Sequence, residues 1–244
     1  MKLAHLASVD LSAFIRPGDT VVWGQSHAQP RGLIGALVAQ RHRFARTRLF
    51  LGIGLGLEAA LAPATADAFD FLSYCGAGSN RVLAKAGVLE ILPAHYSEFP
   101  GLIRSGALRI DVLMLQVSPP DAQGRHSLGM AREYLVPALA CARTVLAEVD
   151  PSVPWTHGGP YLTEADADLW VAAGMPPAES PVTAPGPVEA AIGRHIAGLV
   201  PDGATLQTGI GTVPDAVLQA LHGHRDLGIH SGSLGEGLVD LADS

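Results

Sequence analysis

The sequence predicts an α/β fold: an open, mostly parallel sheet with flanking helices, followed by a second, related domain that is incomplete. Three observations carry this. Short apolar runs alternate with helical stripes through most of the chain. A proline-rich stretch then interrupts the pattern. After it, the opening strand–helix pattern returns at a fixed spacing.

The first strand is read in "DTVVWG" (Asp19–Gly24), an apolar run bounded by turn formers. Pro30 then opens "PRGLIGALVAQRHRF", with Leu33, Ile34, Leu37 and Val38 on one helical stripe. Proline in a first turn costs little, because its missing N–H would be unbonded there anyway. "RLFLGIG" (Arg48–Gly54) reads as a second strand and "DFLSYCG" (Asp70–Gly76) as a third. "LRIDVLMLQVSPPD" (Leu108–Asp121) holds a strand that ends at a Pro-Pro turn, and "ARTVLAEVD" (Ala142–Asp150) repeats that design.

Residues 174–187, "GMPPAESPVTAPGP", contain five prolines and read as an extended connector. The expected organisation is a first domain at 1–173, a linker at 174–187 and the beginning of a second domain at 188–244. The repeat supports that division. Pro17 and Pro201 are 184 positions apart, as are Pro30 and Pro214. Leu33, Ile34, Ala36 and Leu37 fall on Val217, Leu218, Ala220 and Leu221. Both copies read turn, strand, loop and proline-initiated helix. The second copy has room for only part of the first copy's content. An unfinished parallel sheet exposes an edge and an apolar face, so a homo-oligomer or a complementary C-terminal subunit is expected.

Composition narrows the partners. The chain has 48% hydrophobic and 16% charged residues and a formal charge of −7, with Lys and Arg unclustered. Nucleic acid and anionic membranes are poor partners for such a chain. "MKLAHLASVD" does not read as a signal peptide. No run approaches the ~18 apolar residues of a membrane span. Cys75 and Cys141 lie far apart without CxxC spacing, which suits a reducing, cytoplasmic location. There is no HExxH and no Cys/His zinc pattern, so no metal is expected.

The sharpest site candidate is "TGIGTVPDAV" (Thr208–Val217). Gly209 and Gly211 would let a ligand approach the backbone closely. The helix from Pro214 would aim its free N–H groups and positive dipole end at the loop, stabilising an anion or a carbonyl oxygen gaining charge. The third glycine of a dinucleotide fingerprint is absent, as is the Gly-Lys-Ser/Thr of a P-loop. A bare glycine turn without a ligand is the competing reading.

Other motifs are weaker. In "VSPPDAQGRHSLG", Ser118 and Asp121 account for a turn without function, although the loop follows a strand as ligand loops do. His157 lies in a loop and reads as a hydrogen-bonding structural residue or a base. His222 and His224 fall at a helix end, where a cation is favourable without any metal. "LGIGLGLE" (Leu51–Glu58) either lines a cleft or is a tight packing turn.

In combination, "VSPPDAQG", "VPWTHGG", "IAGLVPDGATLQTGIGTVPDAVL" and "LGIHSGSLGEGLVDL" resemble the acetyl-CoA hydrolase/transferase family, which includes 4-hydroxybutyrate and acetate CoA-transferases. The resemblance covers nearly all of the chain and implies two related α/β domains of CoA-transferase type. It implies transfer of CoA between carboxylic acids by a ping-pong route. A glutamate attacks the acyl-CoA, giving an acyl-glutamyl anhydride, and CoA thiolate then gives an enzyme thioester. Coenzyme A and acyl-CoA are substrates in this chemistry, and no permanently bound cofactor is implied. The loop residues Gly209, Ile210, Gly211, Thr212 and Val213 match the family segment that binds CoA or the thioester. Two departures stand out. Family members continue well past position 244. The family glutamate sits two residues after the histidine matching His230, where this chain has Gly232. Glu236 aligns with a different family position, so no residue is assigned a catalytic role. An acyl-CoA hydrolase or a non-catalytic CoA-binding subunit are the alternatives. The anion-site logic of the glycine loop also fits a sugar phosphate.

Overall fold

The computed structural model describes residues 2–44, 46–57, 60–181 and 183–243. The chain divides into two compact units, Met1–Ser180 and Pro181–Ser244.

The first unit is built on parallel strands: β1 (Thr20–Trp23), β2 (Thr47–Leu51), β3 (Phe69–Ser73), β4 (Leu89–Ile91), β5 (Val112–Val117), β6 (Thr144–Val149) and β7 (Leu169–Ala172). Among the described residues they form one seven-stranded sheet in the order β4-β3-β2-β1-β5-β6-β7, with every pair parallel. Both faces of the central strands are buried, as a parallel sheet between helices requires. Alternation sorts the core. Val22, Phe50, Leu113 and Leu115 face one way, and Val21, Trp23, Leu49, Leu51 and Met114 the other.

The helices cover these faces. Helix α1 (Arg31–Ala39) and α2 (Arg81–Lys85) pack on the Trp23 side through Leu33, Ile34, Leu37 and Leu83. Helix α3 (Phe99–Ser105) and α4 (Leu135–Cys141) pack on the Phe50 side through Phe99, Ile103, Leu135 and Ala138. The three fully buried aliphatic side chains of α1 contribute about 1.5–3 kcal/mol each.

Helix α1 is anchored by a carboxyl group from a strand. Glu148 of β6 is fully buried and accepts hydrogen bonds from the Gly32 and Leu33 amides at 3.2 and 2.7 Å. These amides belong to the first turn and have no partner inside the helix. Glycine is required at position 32, because a Cβ there would lie 2.9 Å from Glu148 Oε2 and from Leu6 Cδ2.

The second unit contains helix α5 (Pro187–Ala197), strand β8 (Thr205–Leu206), helix α6 (Thr212–Ala220), strand β9 (Gly228–Ile229) and helix α7 (Gly237–Ala242). Strands β8 and β9 pair in parallel, and α5 packs on α6. The approach is close at Gly193, where a Cβ would fall on the Ala216 carbonyl.

The repeat seen in the sequence is present in the backbone. Gly18 and Gly203 both adopt positive φ, at +80° and +75°. Their amides donate to Arg46 O and Arg225 O at 3.2 and 2.9 Å. Thr20 pairs with Arg48, and Thr205 with Gly228. These matched positions are 185 apart, whereas the two prolines are 184 apart. The loop after the strand is therefore one residue shorter in the second copy. In the first copy a 3₁₀ turn at Ser26–Ala28 fills the loop, and Pro30 is the N-cap of α1. In the second the helix reaches back to Thr212, so Pro214 is its third residue.

Burial pushes the Glu148 carboxyl up to about 7, although the Leu33 and Gly32 amides and Arg31 oppose the shift. The folded chain thus holds this proton over a range in which the unfolded chain has lost it. The stability linked to it is complete below about pH 4.5 and is lost as the pH rises through about 7. Denaturant titrations at about pH 5 and pH 8 should show the wild-type chain losing about 2 kcal/mol more than Glu148→Gln. Equal losses in the two proteins would refute this account.

Candidate functional site

In the first unit the chain runs outward from β1 to β4, then returns to β5 on the other side of β1. The loops leaving β1 and β5 diverge there, and ligands of open α/β sheets bind outside the carboxyl ends of strands at such a switch. Gln25 stands two residues past β1. Its amide oxygen accepts from the Ile53 amide (3.0 Å) and the Tyr74 hydroxyl (2.7 Å). Its amide nitrogen donates to the Tyr96 hydroxyl (3.1 Å) and Glu133 Oε1 (2.8 Å). All four hydrogen-bonding positions of the side chain are used.

The surroundings are closely fitted. A Cβ at Gly52 would lie 2.5 Å from Gln25 Cβ and 2.6 Å from the Tyr134 hydroxyl. A Cβ at Gly54 would lie 2.8 Å from the Ser79 hydroxyl. Tyr134 is buried and donates to Trp23 O at 3.0 Å. Burial pushes the Tyr74 phenol up to about 12, and neighbouring Cys75 and Glu133 add to the shift. Burial raises Tyr96 further, again with Glu133 assisting. Both rings therefore remain neutral phenols able to donate. Sequence reasoning identified none of Gln25, Tyr74, Tyr96 and Glu133. Glu133 does carry a local anomaly, a non-glycine residue at φ +35°.

In the second unit the predicted segment Gly209–Val213 spans the junction of β8 and α6: Gly209–Gly211 lie in the connecting loop, whereas Thr212 and Val213 already belong to the helix, which begins two residues before Pro214. Gly211 is the N-cap of α6, at φ +117° and ψ +177°. That region is essentially open to glycine alone. Ile210 is strongly exposed beside it, and the Asp215 amide donates to Gly211 O at 3.0 Å. The end of β9 is tied to the loop. The His230 amide donates to Leu206 O at 2.9 Å. The Ser231 hydroxyl donates to Thr208 O at 2.8 Å and accepts from the Thr208 amide at 3.3 Å. The loop and Gly232 thus share the carboxyl end of one strand pair. Gly232 has an ordinary backbone, and a Cβ there would meet nothing within 4 Å. Glu236 is exposed at the start of α7.

The remaining motifs lie elsewhere in the fold. The Ser118 hydroxyl accepts from the Ser127 amide, and Asp121 Oδ1 accepts from the Gln123 and Arg125 amides, which builds the turn predicted there. His224 bonds the Val200 carbonyl at 3.0 Å. His157 is exposed. Gly52 and Gly54 of "LGIGLGLE" are tight packing positions, and Glu58 lies outside the described residues. No helix among the described residues is long and apolar enough to cross a membrane.

Residues 5–166 match the acetyl-CoA hydrolase/transferase N-terminal domain. The chain belongs to this family. Among curated relatives it is 34% identical to the 4-hydroxybutyrate coenzyme A transferase of Clostridium kluyveri, over 91% of this chain and 52% of that protein. It is 30% identical to the succinyl-CoA:cyclohexane-1-carboxylate CoA transferase of Geobacter metallireducens, over 96% of this chain and 53% of that protein. The chain spans about half the length of these relatives. Among solved structures it resembles RipA from Yersinia pestis, with a TM-score of 0.88 and 29% identity, covering 99% of this chain and 58% of that one. It also resembles the 4-hydroxybutyrate CoA-transferase of Porphyromonas gingivalis, with a TM-score of 0.79 and 30% identity, covering 99% and 56%. The sheet of the first unit is thus that of a family with CoA-transferase fold.

The loop geometry makes a prediction about its two glycines. Gly211→Ala forces an L-residue into a glycine-only conformation and should cost about 1–3 kcal/mol. Gly209→Ala places its Cβ 3.6 Å from Pro214, an ordinary contact, and should be nearly neutral. Thermal melts of the two variants check this, and equal stability of the two would contradict the conformation assigned to Gly211.

Proposed function

We propose that this chain acts on small acyl-CoA esters in the transfer of CoA between carboxylic acids. The observation that carries this reading is the Gly211 turn, which opens directly onto the N-terminus of α6 in a chain of the acetyl-CoA hydrolase/transferase family. In this reading Gly209, Ile210, Gly211, Thr212 and Val213 hold the thioester. The Thr212 and Val213 amides stand in the first turn and donate to the thioester oxygen as it gains charge. Pro214 contributes no N–H and pre-sets the helical φ. Asp215 already brings negative charge to that turn, which favours a neutral carbonyl over a phosphate. This weighs against a sugar phosphate as the ligand.

A transferase also needs a nucleophile. The resemblance puts a glutamate at position 232, and this chain has glycine there. Its part is then to bind the ester and polarise its carbonyl. Gly232 also favours a second reading, a CoA-binding subunit without chemistry of its own. The partners in either case are acyl-CoA, a carboxylic acid and another polypeptide, a second copy or a complementary C-terminal subunit. A cytoplasmic location suits the free Cys75 and Cys141.

The open space at Gly232 makes the chemistry testable. In Gly232→Glu a carboxylate oxygen would attack the thioester carbonyl and expel CoA thiolate. The thiolate would then attack the glutamyl carbonyl, release the acid and leave CoA joined to the protein. Mass spectrometry after incubation with acyl-CoA should find this adduct in Gly232→Glu and not in the wild type, and borohydride should abolish it. A wild-type chain that fails to bind acyl-CoA in calorimetry would sink the proposal. A borohydride-sensitive adduct on the wild type would show that another residue serves as nucleophile.

A further inference from the structure

The chain that leaves β7 does not run free. It crosses the loops that leave β1 and β2, at the carboxyl end of the sheet. The Arg31 guanidinium donates through Nη1 to Pro176 O at 3.0 Å. The His27 ring meets the Ser180 hydroxyl through Nε2 at 3.0 Å. Ala178 lies against Gly56, where a Cβ would meet its methyl group at 3.7 Å. His27 is held from its other side as well, by the Ser26 hydroxyl on Nδ1 at 3.1 Å. Both polar links to this strap are exposed, so residues 176–180 can lift without opening the core.

Arg31 also connects the strap to the buried carboxyl groups of β6. Two groups there lack partners, and they are of opposite kind. Arg31 Nε, a donor, and Asp150 Oδ2, an acceptor, are buried without a hydrogen bond among the described residues. Unmet buried groups are costly. The Asp150 amide still bonds Val117 O at 3.1 Å, so Asp150 continues the alternation of β6 and shares a face with Glu148. Asp150 and Arg31 are the charged groups that act on Glu148, one from the end of β6 and one from α1. Glu148 is no seat for Arg31, because its two oxygens hold the Gly32 and Leu33 amides. Asp150 Oδ1 is taken by the Ser152 amide at 2.8 Å, which leaves Oδ2 as the open acceptor. Arg31 Nε is already buried, so a turn toward Asp150 moves only the terminal nitrogens.

We propose that the strap is a gate over the loops leaving β1 and β2, with Arg31 as its latch. In the closed arrangement Arg31 holds Pro176 O. In the open one the guanidinium turns inward, pairs with Asp150 Oδ2 and lets the strap lift. Each arrangement forgoes something. The closed one leaves two buried atoms unpaired, and the open one gives up the bond to the strap and draws a charge inward. Opposed costs of this kind make an element bistable. Ligands of open α/β sheets enter at the carboxyl ends of the strands, so the state of the strap sets access to that side.

Cleavage of the full native chain by a glutamyl endopeptidase tests this, because Glu179 is exposed within the strap and must leave its seat to be cut. When opening is fast relative to cutting, the rate reads the open population. Mass spectrometry follows the cut at Glu179 over time. Asp150→Asn keeps the acceptor for the Ser152 amide and puts an N–H donor where the open acceptor was, so its strap should be cut about fivefold more slowly than that of the wild type. Arg31→Ala removes the latch and should be cut about fivefold faster. The double variant should match Arg31→Ala, since Asp150 acts only through Arg31. Asp150→Ser, which also lacks the second oxygen, takes the place of Asp150→Asn if circular dichroism shows that variant unfolded. A wild-type rate in either single variant overturns the proposal, as does faster cutting in the Asp150 variant. A slowing that persists in the Arg31→Ala background would mean that Asp150 reaches the strap by another route, and the latch fails.

Discussion

The Gln25 side chain is the tie on which the carboxyl end of the main sheet depends. One amide bonds the loops after β2 and β3, the segment before α3 and the segment before α4. Hydrogen bonds that involve Asn80 and Ser79 and the ring contacts among Tyr74, Tyr96 and Tyr134 reinforce the tie. Several consequences follow from its position. Gly52 must lack a side chain, because Gln25 and Tyr134 occupy that space. The phenols of Tyr74 and Tyr96 are held in mostly apolar surroundings, where burial keeps them protonated. Shortening Gln25 would leave several partly buried groups unpaired at once, which is costlier than the loss of any single bond.

Two strand-end environments result, one in each unit, and they differ in kind. The first is made of side chains and is rigid, with aromatic contacts around a saturated amide. The second is made of backbone, with a glycine conformation at the mouth of a helix and a serine bridge between two strand ends. Side-chain sites discriminate between ligands by the shape and donors they present, whereas backbone sites stabilise charge wherever it develops.

Much of the fold was legible in the sequence. Strands β1, β2, β3, β5 and β6 show as apolar runs because both of their faces are buried. Strands β4 and β7 escape that signal because they are the edges of the sheet. Glu90 and Ile91 of β4 are exposed, and β7 is only four residues long. The glycine loop was legible because its conformation excludes other residues. The Gln25 cluster was not, because Gln25 and Glu133 are 108 positions apart and meet only through the strand order. The alternate glycines of "LGIGLGLE" left two readings open, and Gly52 and Gly54 serve both: they pack closely and they line a small cavity with Trp23, Gln29 and Asn80. The repeat was legible from its prolines, but its strand register differs by one residue, which spacing alone does not show.

That one-residue difference gives the two copies separate uses for the same element. In the first copy the amides at the start of α1 are occupied by Glu148, a carboxyl group supplied from within the fold. The repeat thus contains an internal portrait of an occupied helix terminus, the two oxygens of one carboxyl group seated on successive amides at 3.2 and 2.7 Å. In the second copy the shorter loop carries the helix back to Thr212 and turns the same kind of terminus toward the mouth of the glycine loop. The repeat thereby puts one element to two ends: a terminus closed by a carboxyl group of its own chain, and a sister terminus opened by a glycine conformation.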